Sequence, residues 1–279
     1  MKNTKNIFIT VLIILIFIIQ CGGGSMDKKD AVFSSINDLT QAQLDALSQK
    51  KIYFGHMSVG TNIMDGIHDL LKEYPQLKVR VSETRDASDL TGPMFAHSAV
   101  GKNVDPRSKL EDFVRVMDSG LGNKVDIAFI KFCFVDIDSS SQVSELFVLY
   151  KTTMDNLKKK YPKTTFIHVT VPLTAVQVGW KVPIKRMLGK PIGGYADNIK
   201  RYHYNELLKK EYDGKEVVFD LATIESTLPD GNRETFTSDE KVYYSLAQAY
   251  TRDGGHLNEK GRKAVAEELL IILATISNK

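Results

Sequence analysis

The sequence predicts a three-layer α/β/α domain on a five-stranded parallel sheet. Two patterns carry that prediction. Short apolar runs alternate with amphipathic stretches of helical period along most of the chain. Runs such as Ile127-Ala128-Phe129-Ile130 have no polar alternation, as in strands covered on both faces. With 279 residues, 43% of them hydrophobic, the chain suffices for one large domain, and no repeat of fixed period divides it.

Taken in order, Thr40 to Lys50 reads as a helix with Thr40 at its N-cap. Ile52-Tyr53-Phe54-Gly55 is the first strand. Ile63, Ile67, Leu70, Leu71 and Tyr74 then fall on one helical stripe. Lys78-Val79-Arg80-Val81 is the second strand, followed by a loop-rich region and a helix around Lys109 to Met117. The third strand is Val125 to Phe132, and a long helix runs from Gln142 to Lys160. The fourth strand is Thr165 to Thr170. An irregular insert from Ala175 to Gly194 leads into the helix Tyr195 to Tyr212. Glu216-Val217-Val218-Phe219 is the fifth strand. The last helix spans Glu259 to Ile276, with Val265, Leu269, Ile272 and Ile276 on one stripe.

The first residues have a different character. Lys2 and Lys5 precede an apolar run from Ile7 to Ile19, too short for a membrane span of about 20 residues. Cys21 follows, then Gly22-Gly23-Gly24-Ser25. This resembles a bacterial lipoprotein signal, although Gln20 stands where such signals carry a small residue. The expected division is a signal segment at 1–21 ending at a lipidated Cys21, a tether at 22–37 and a folded domain at 38–279. The resemblance implies export to the bacterial cell envelope, with membrane attachment through the lipid.

Cys133 is the one cysteine left to the domain, so no internal disulfide is available, and a buried small hydrophobe is its expected role. The formal charge of +3 is scattered. Lys158, Lys159 and Lys160 form a run that suits a helix C-terminus, and no broad basic surface calls for nucleic acid.

In parallel α/β sheets, ligands collect beyond the C-terminal ends of the strands, and four loops there carry polar groups. Gly55-His56-Met57-Ser58-Val59-Gly60 places a serine at a strand-to-helix turn, either as an exposed nucleophile or as an N-cap. Gly101 and Asn103 lie in a turn that offers a backbone and a side-chain donor. Asp136 and Asp138 could be a base, metal ligands or helix caps. Asp253-Gly254-Gly255-His256-Leu257-Asn258 sets a carboxylate three residues before an imidazole, a spacing that can fix one ring nitrogen and leave the other as a base.

The order Gly-x-x-Ser, glycine loop, then Asp-Gly-Gly-His-Leu-Asn before the last helix resembles the SGNH (GDSL-like) hydrolases, with a flavodoxin-like fold, over Lys50 to Ile276. His168 to Leu173 and Val218 to Leu221 add to it. The resemblance implies Ser58 as nucleophile, His256 as base, Asp253 as its orienter and Gly101 as an oxyanion donor. The family's Gly-Asp-Ser is here Gly55-His56-Met57-Ser58. Its Gly-x-Asn-Asp is Cys133-Phe134-Val135-Asp136, which lacks the oxyanion asparagine and leaves Asn103 as a substitute.

The expected activity is an exported esterase acting on short acyl esters, on a small molecule or a glycan, without cofactor or metal. Trp180 and its insert could line the substrate surface. The alternatives are an O-acyltransferase using the same triad, or a non-catalytic envelope binding protein with a degraded site. A further alternative is a metal-dependent hydrolase using His56, Asp136 or Asp138 and His256.

Overall fold

The computed structural model describes residues 35–278. The expected signal segment, Cys21 and the tether as far as residue 34 lie outside the described residues. No helix among the described residues is long and apolar enough to cross a membrane.

The main sheet has six strands in the order β2-β3-β1-β4-β5-β6, every pair parallel. They are β1 (Lys51–His56), β2 (Val81–Glu83), β3 (Met94–Ala99), β4 (Ile127–Ile130), β5 (Thr165–Val169) and β6 (Val218–Phe219). The parallel α/β class is as the sequence predicted, with one strand more. The extra strand is β3, inside the region expected to be loop. Its Ala96, His97, Ser98 and Ala99 carry little of the β-branched signal that marks a strand. It is nevertheless held between β2 and β1, with Ile52 opposite Phe95 and His56 opposite Ala99.

The helices are α1 (Gln41–Ser48), α2 (Val59–Glu73), α3 (Pro106–Asp118), α4 (Val143–Lys160), α5 (Lys181–Met187), α6 (Tyr195–Tyr212), α7 (Leu221–Ser226) and α8 (Glu259–Ser277). α1, α2, α7 and α8 cover one face of the sheet; α3, α4 and α6 cover the other. Alternate residues of β1 serve the two layers: Ile52 and Phe54 join the α2/α8 core, and Tyr53 the α3/α4/α6 core.

Local chemistry explains the helix starts. Thr40 and Gln43 form a reciprocal capping box, Asp105 caps α3 ahead of Pro106, and Asn258 accepts from the Gly261 N–H at the start of α8. Lys158, Lys159 and Lys160 occupy the last turn of α4, where Lys158 pairs with Asp155 and Glu216 and Lys160 with Asp118. The insert expected to be irregular contains α5. A hairpin of β7 (Thr235–Ser238) and β8 (Lys241–Tyr244) turns through Asp239 and Glu240, both at positive φ as a tight two-residue hairpin needs.

From β1 the sheet grows one way through β3 and β2 and the other way through β4, β5 and β6. That reversal puts a crevice beyond the C-terminal ends of β1 and β4. Ser58 follows β1 and Cys133 follows β4.

Candidate active site

The Asp253–His256 turn is built by its glycines. Gly254 takes φ +88°, a left-handed conformation that side chains rarely adopt. Gly255 lies so close to Phe134 that a Cβ there would stand 2.6 Å from the ring. The chain therefore folds back on Asp253, whose Oδ1 accepts from the backbone N–H of Gly255 (2.9 Å) and of His256 (2.8 Å). Its Oδ2 lies 2.6 Å from His256 Nδ1. Those backbone donors, and then the imidazole, hold the Asp253 carboxyl far below the usual carboxylate range. An ionised Asp253 assigns the proton of the ring to Nδ1. Nε2 is left without a partner among the described residues, on a side chain that is 44% exposed.

Ser58 stands at the N-cap position of α2, yet its side chain makes no capping hydrogen bond. Its Oγ instead faces Cys133 Sγ at 3.9 Å, and its own N–H donates to no group among the described residues. Of the two roles left open for this serine, capping is not the one its side chain performs.

Ser58 and His256 approach the same strip of chain. Cys133 touches Ser58, and the ring of the next residue, Phe134, packs edge-on against His256 with centroids 5.5 Å apart. One turn along α2, Asn62 accepts the N–H of Leu257 at 3.2 Å. Ser58 and His256 themselves are not hydrogen-bonded among the described residues.

The expected oxyanion donors are placed differently. The N–H of Gly101 is already donated to Asp112 Oδ2 at 3.0 Å, so it is not free for an oxyanion in this arrangement. Asn103 is exposed, with its Oδ1 bonded to Lys109 Nζ at 3.0 Å and its Nδ2 donating to nothing among the described residues. A free donor next to the serine, among the described residues, is its own N–H, at the N-terminal end of α2 where the helix dipole favours negative charge.

Asp136, left open as base, ligand or cap, is a buried structural carboxylate. It pairs with Lys109 at 2.5 Å, both side chains fully buried, and accepts the N–H groups of Cys133 and Val104. Asp138 caps the Ser139–Ser141 turn. His56 is buried against His97, Nε2 to Nδ1 at 3.0 Å, and burial pushes its imidazole down to about 3. No group of three His, Cys, Asp or Glu side chains able to hold a metal occurs among the described residues.

Two buried residues, Lys131 and Arg201, escaped the sequence reading. Cys133 is buried as expected but lies in polar company, with Lys131 Nζ 3.4 Å from its sulfur. Burial lowers the Lys131 amine. Arg201 donates to the carbonyls of Phe134 (2.9 Å) and Ile137 (3.0 Å), and so fixes the strip on which His256 rests. A signal for it was present. Asn198, Arg201 and Asn205 form a buried polar stripe at helical spacing on α6, where an apolar face would be the norm.

No protein-family model and no curated protein matches this chain. Solved structures do resemble it. One is described as a GDSL-like lipase from Parabacteroides merdae, at 12% identity and TM-score 0.49, covering 81% of this chain and 98% of that one. Another is described as a lipolytic protein of the G-D-S-L family from Desulfitobacterium hafniense, at 9% identity and TM-score 0.47, covering 80% and 99%. A third is described as a platelet activating factor from Streptococcus pneumoniae, at 15% identity and TM-score 0.48, covering 84% and 91%.

Proposed function

We propose that this chain is an exported, lipid-anchored serine esterase that cleaves short acyl esters. The observation that carries the reading is the Asp253–His256 pair, 2.6 Å apart, joined through the Asn62–Leu257 bond to the helix that opens on a serine whose hydroxyl is not used as a cap. His256 Nε2 takes the Ser58 hydroxyl proton as Oγ attacks the ester carbonyl. The N–H of Ser58 meets the developing oxyanion. His256 then returns the proton to the departing alcohol, and water releases the acyl group by the same route.

The reading requires Ser58 and His256 to come within hydrogen-bond reach when substrate binds, and catalytic hydrogen bonds in unliganded enzymes are commonly long. The hollow around His256 is lined by Arg252, Asp253, Leu257, Asn258, Glu259 and Arg262, a mainly charged and polar surface that supports a polar carrier of the acyl group.

Covalent labelling with a fluorophosphonate, read by intact mass and peptide mapping, tests this proposal. One adduct should form on Ser58 and vanish in His256→Ala. If the folded protein takes no adduct, the reading fails and a non-catalytic envelope binding protein replaces it.

A further inference from the structure

We propose that the segment from Val178 to Lys190, which includes α5, is an interfacial element that seats this domain on an anionic lipid bilayer. The inference does not depend on any chemistry at Ser58.

The segment leaves the domain through a closed neck. Ala175 donates to the Gly254 carbonyl at 2.8 Å, Gln177 to the Gly193 carbonyl at 2.9 Å, and Gln248 Nε2 to the Val176 carbonyl at 2.9 Å. Beyond the neck, apolar side chains face solvent: Trp180 is 74% exposed, Met187 80%, Val178 61%, Leu188 57% and Ile184 43%. Five of the eight exposed large apolar side chains among the described residues lie in this one segment. Trp180, Ile184, Met187 and Leu188 recur at steps of four, three and one, so a helical backbone gathers them on one stripe. A soluble domain has no use for so concentrated an apolar patch, and such patches mark contact surfaces.

Charge identifies the contact. Lys181, Lys185, Arg186 and Lys190 are interleaved with the apolar residues, and no Asp or Glu occurs between Asp155 and Asp197. Lys185 is tied to Gln177 Oε1 at 2.6 Å; Lys181, Arg186 and Lys190 make no ion pair among the described residues. Cations without counter-charges match an anionic surface, and each contributes on the order of 1 kcal/mol near anionic headgroups. A hydrophilic polyanion would satisfy the cations but leave the tryptophan, methionine and leucine in water. A bilayer interface takes both, with the apolar stripe entering the boundary of the acyl chains and the indole at headgroup level. Because the neck is bonded to Gly254, the segment leaves the domain beside the Asp253–His256 turn.

The chain supplies its own probe, since Trp180 is its single tryptophan. The full chain would be mixed with dioleoylphosphatidylglycerol or dioleoylphosphatidylcholine vesicles, with and without brominated acyl chains, while Trp180 emission is followed. Attachment through the N-terminal run does not interfere, because it does not by itself bring Trp180 against brominated acyl chains. We expect a blue shift and bromine quenching with the anionic vesicles, both reversed by high salt. Lys181→Gln combined with Lys190→Gln should weaken the partition about 25-fold, at about fivefold for each cation lost. Both positions are exposed, so folding is not at risk. Unchanged emission while the protein pellets with vesicles overturns the proposal. So does a blue shift with soluble polyphosphate that occurs without bromine quenching by vesicles, which would make the partner a polyanion. A shift produced by protein concentration alone would also overturn it, by assigning the patch to a second copy of the chain.

Discussion

Asp253 accepts hydrogen bonds from two backbone N–H groups and an imidazole, all within four residues of chain. Its carboxyl therefore stays ionised well into acid, and its own protonation does not limit activity at ordinary pH. Asp253→Asn preserves the shape of the turn but removes the charge that fixes the Nδ1–H tautomer of His256. We expect kcat on a short chromogenic ester to fall by about 10²–10⁴ with the fold unchanged, and labelling of Ser58 to slow in step. If activity persists near the wild-type level, Asp253 is only a turn residue. This pair was legible in the sequence because its partners are three residues apart, so no tertiary fold was needed to see them. The surroundings of Cys133 were not. Lys131 lies two residues away in an apolar run, and Ser58 reaches the thiol only because β1 and β4 are neighbours in the sheet.

Elements whose period was clear were read correctly, and those whose residues are set by neighbours were not. α4, α6 and α8 lie within a residue of their expected limits, because each carries a long stripe or well-placed boundaries. β3 and α7 were missed because one is rich in Ala and Ser and the other is too short to show a period. α7 nevertheless carries a group with a measurable consequence. Glu225 is fully buried, accepts the Leu173 N–H, and has its other oxygen unpartnered. Burial pushes its carboxyl from an ordinary value of 4.5 up to about 8. The native protein therefore holds a proton that the unfolded chain gives up. The associated stability is complete below about pH 4.5 and is lost as the pH rises toward 8, by up to about 1.4 kcal/mol per pH unit. Glu225→Gln keeps an acceptor for Leu173 and cannot titrate. The stability of the wild type relative to this variant, from urea melts, should decline across that window. Parallel profiles would mean that Glu225 is ionised in the fold.

At the scale of the whole molecule, the proposed nucleophile and base stand at the starts of two helices packed on the same face of the sheet, and that packing sets their separation. Ser58 opens α2 and His256 precedes α8. Between them the two helices are joined in successive turns: Asn62 to the Leu257 N–H, Gly66 against the Arg262 carbonyl, and Asp69 to the Arg262 guanidinium at 2.7 Å. A Cβ on Gly66 would stand 2.3 Å from that carbonyl, so Gly66→Ala must push the helices apart. Overpacking of this kind costs about 1–3 kcal/mol. Leu157→Ala, in the core under α4 on the opposite face, should cost about 2–5 kcal/mol. The two variants separate stability from alignment. Under conditions where both are fully folded, Gly66→Ala should slow fluorophosphonate labelling of Ser58 at least tenfold, since misplacement by about 1 Å can cost 10²-fold. Leu157→Ala, though less stable, should label at the wild-type rate. Equal rates in the two variants would show that the α2–α8 contact holds the fold together without aligning Ser58 and His256.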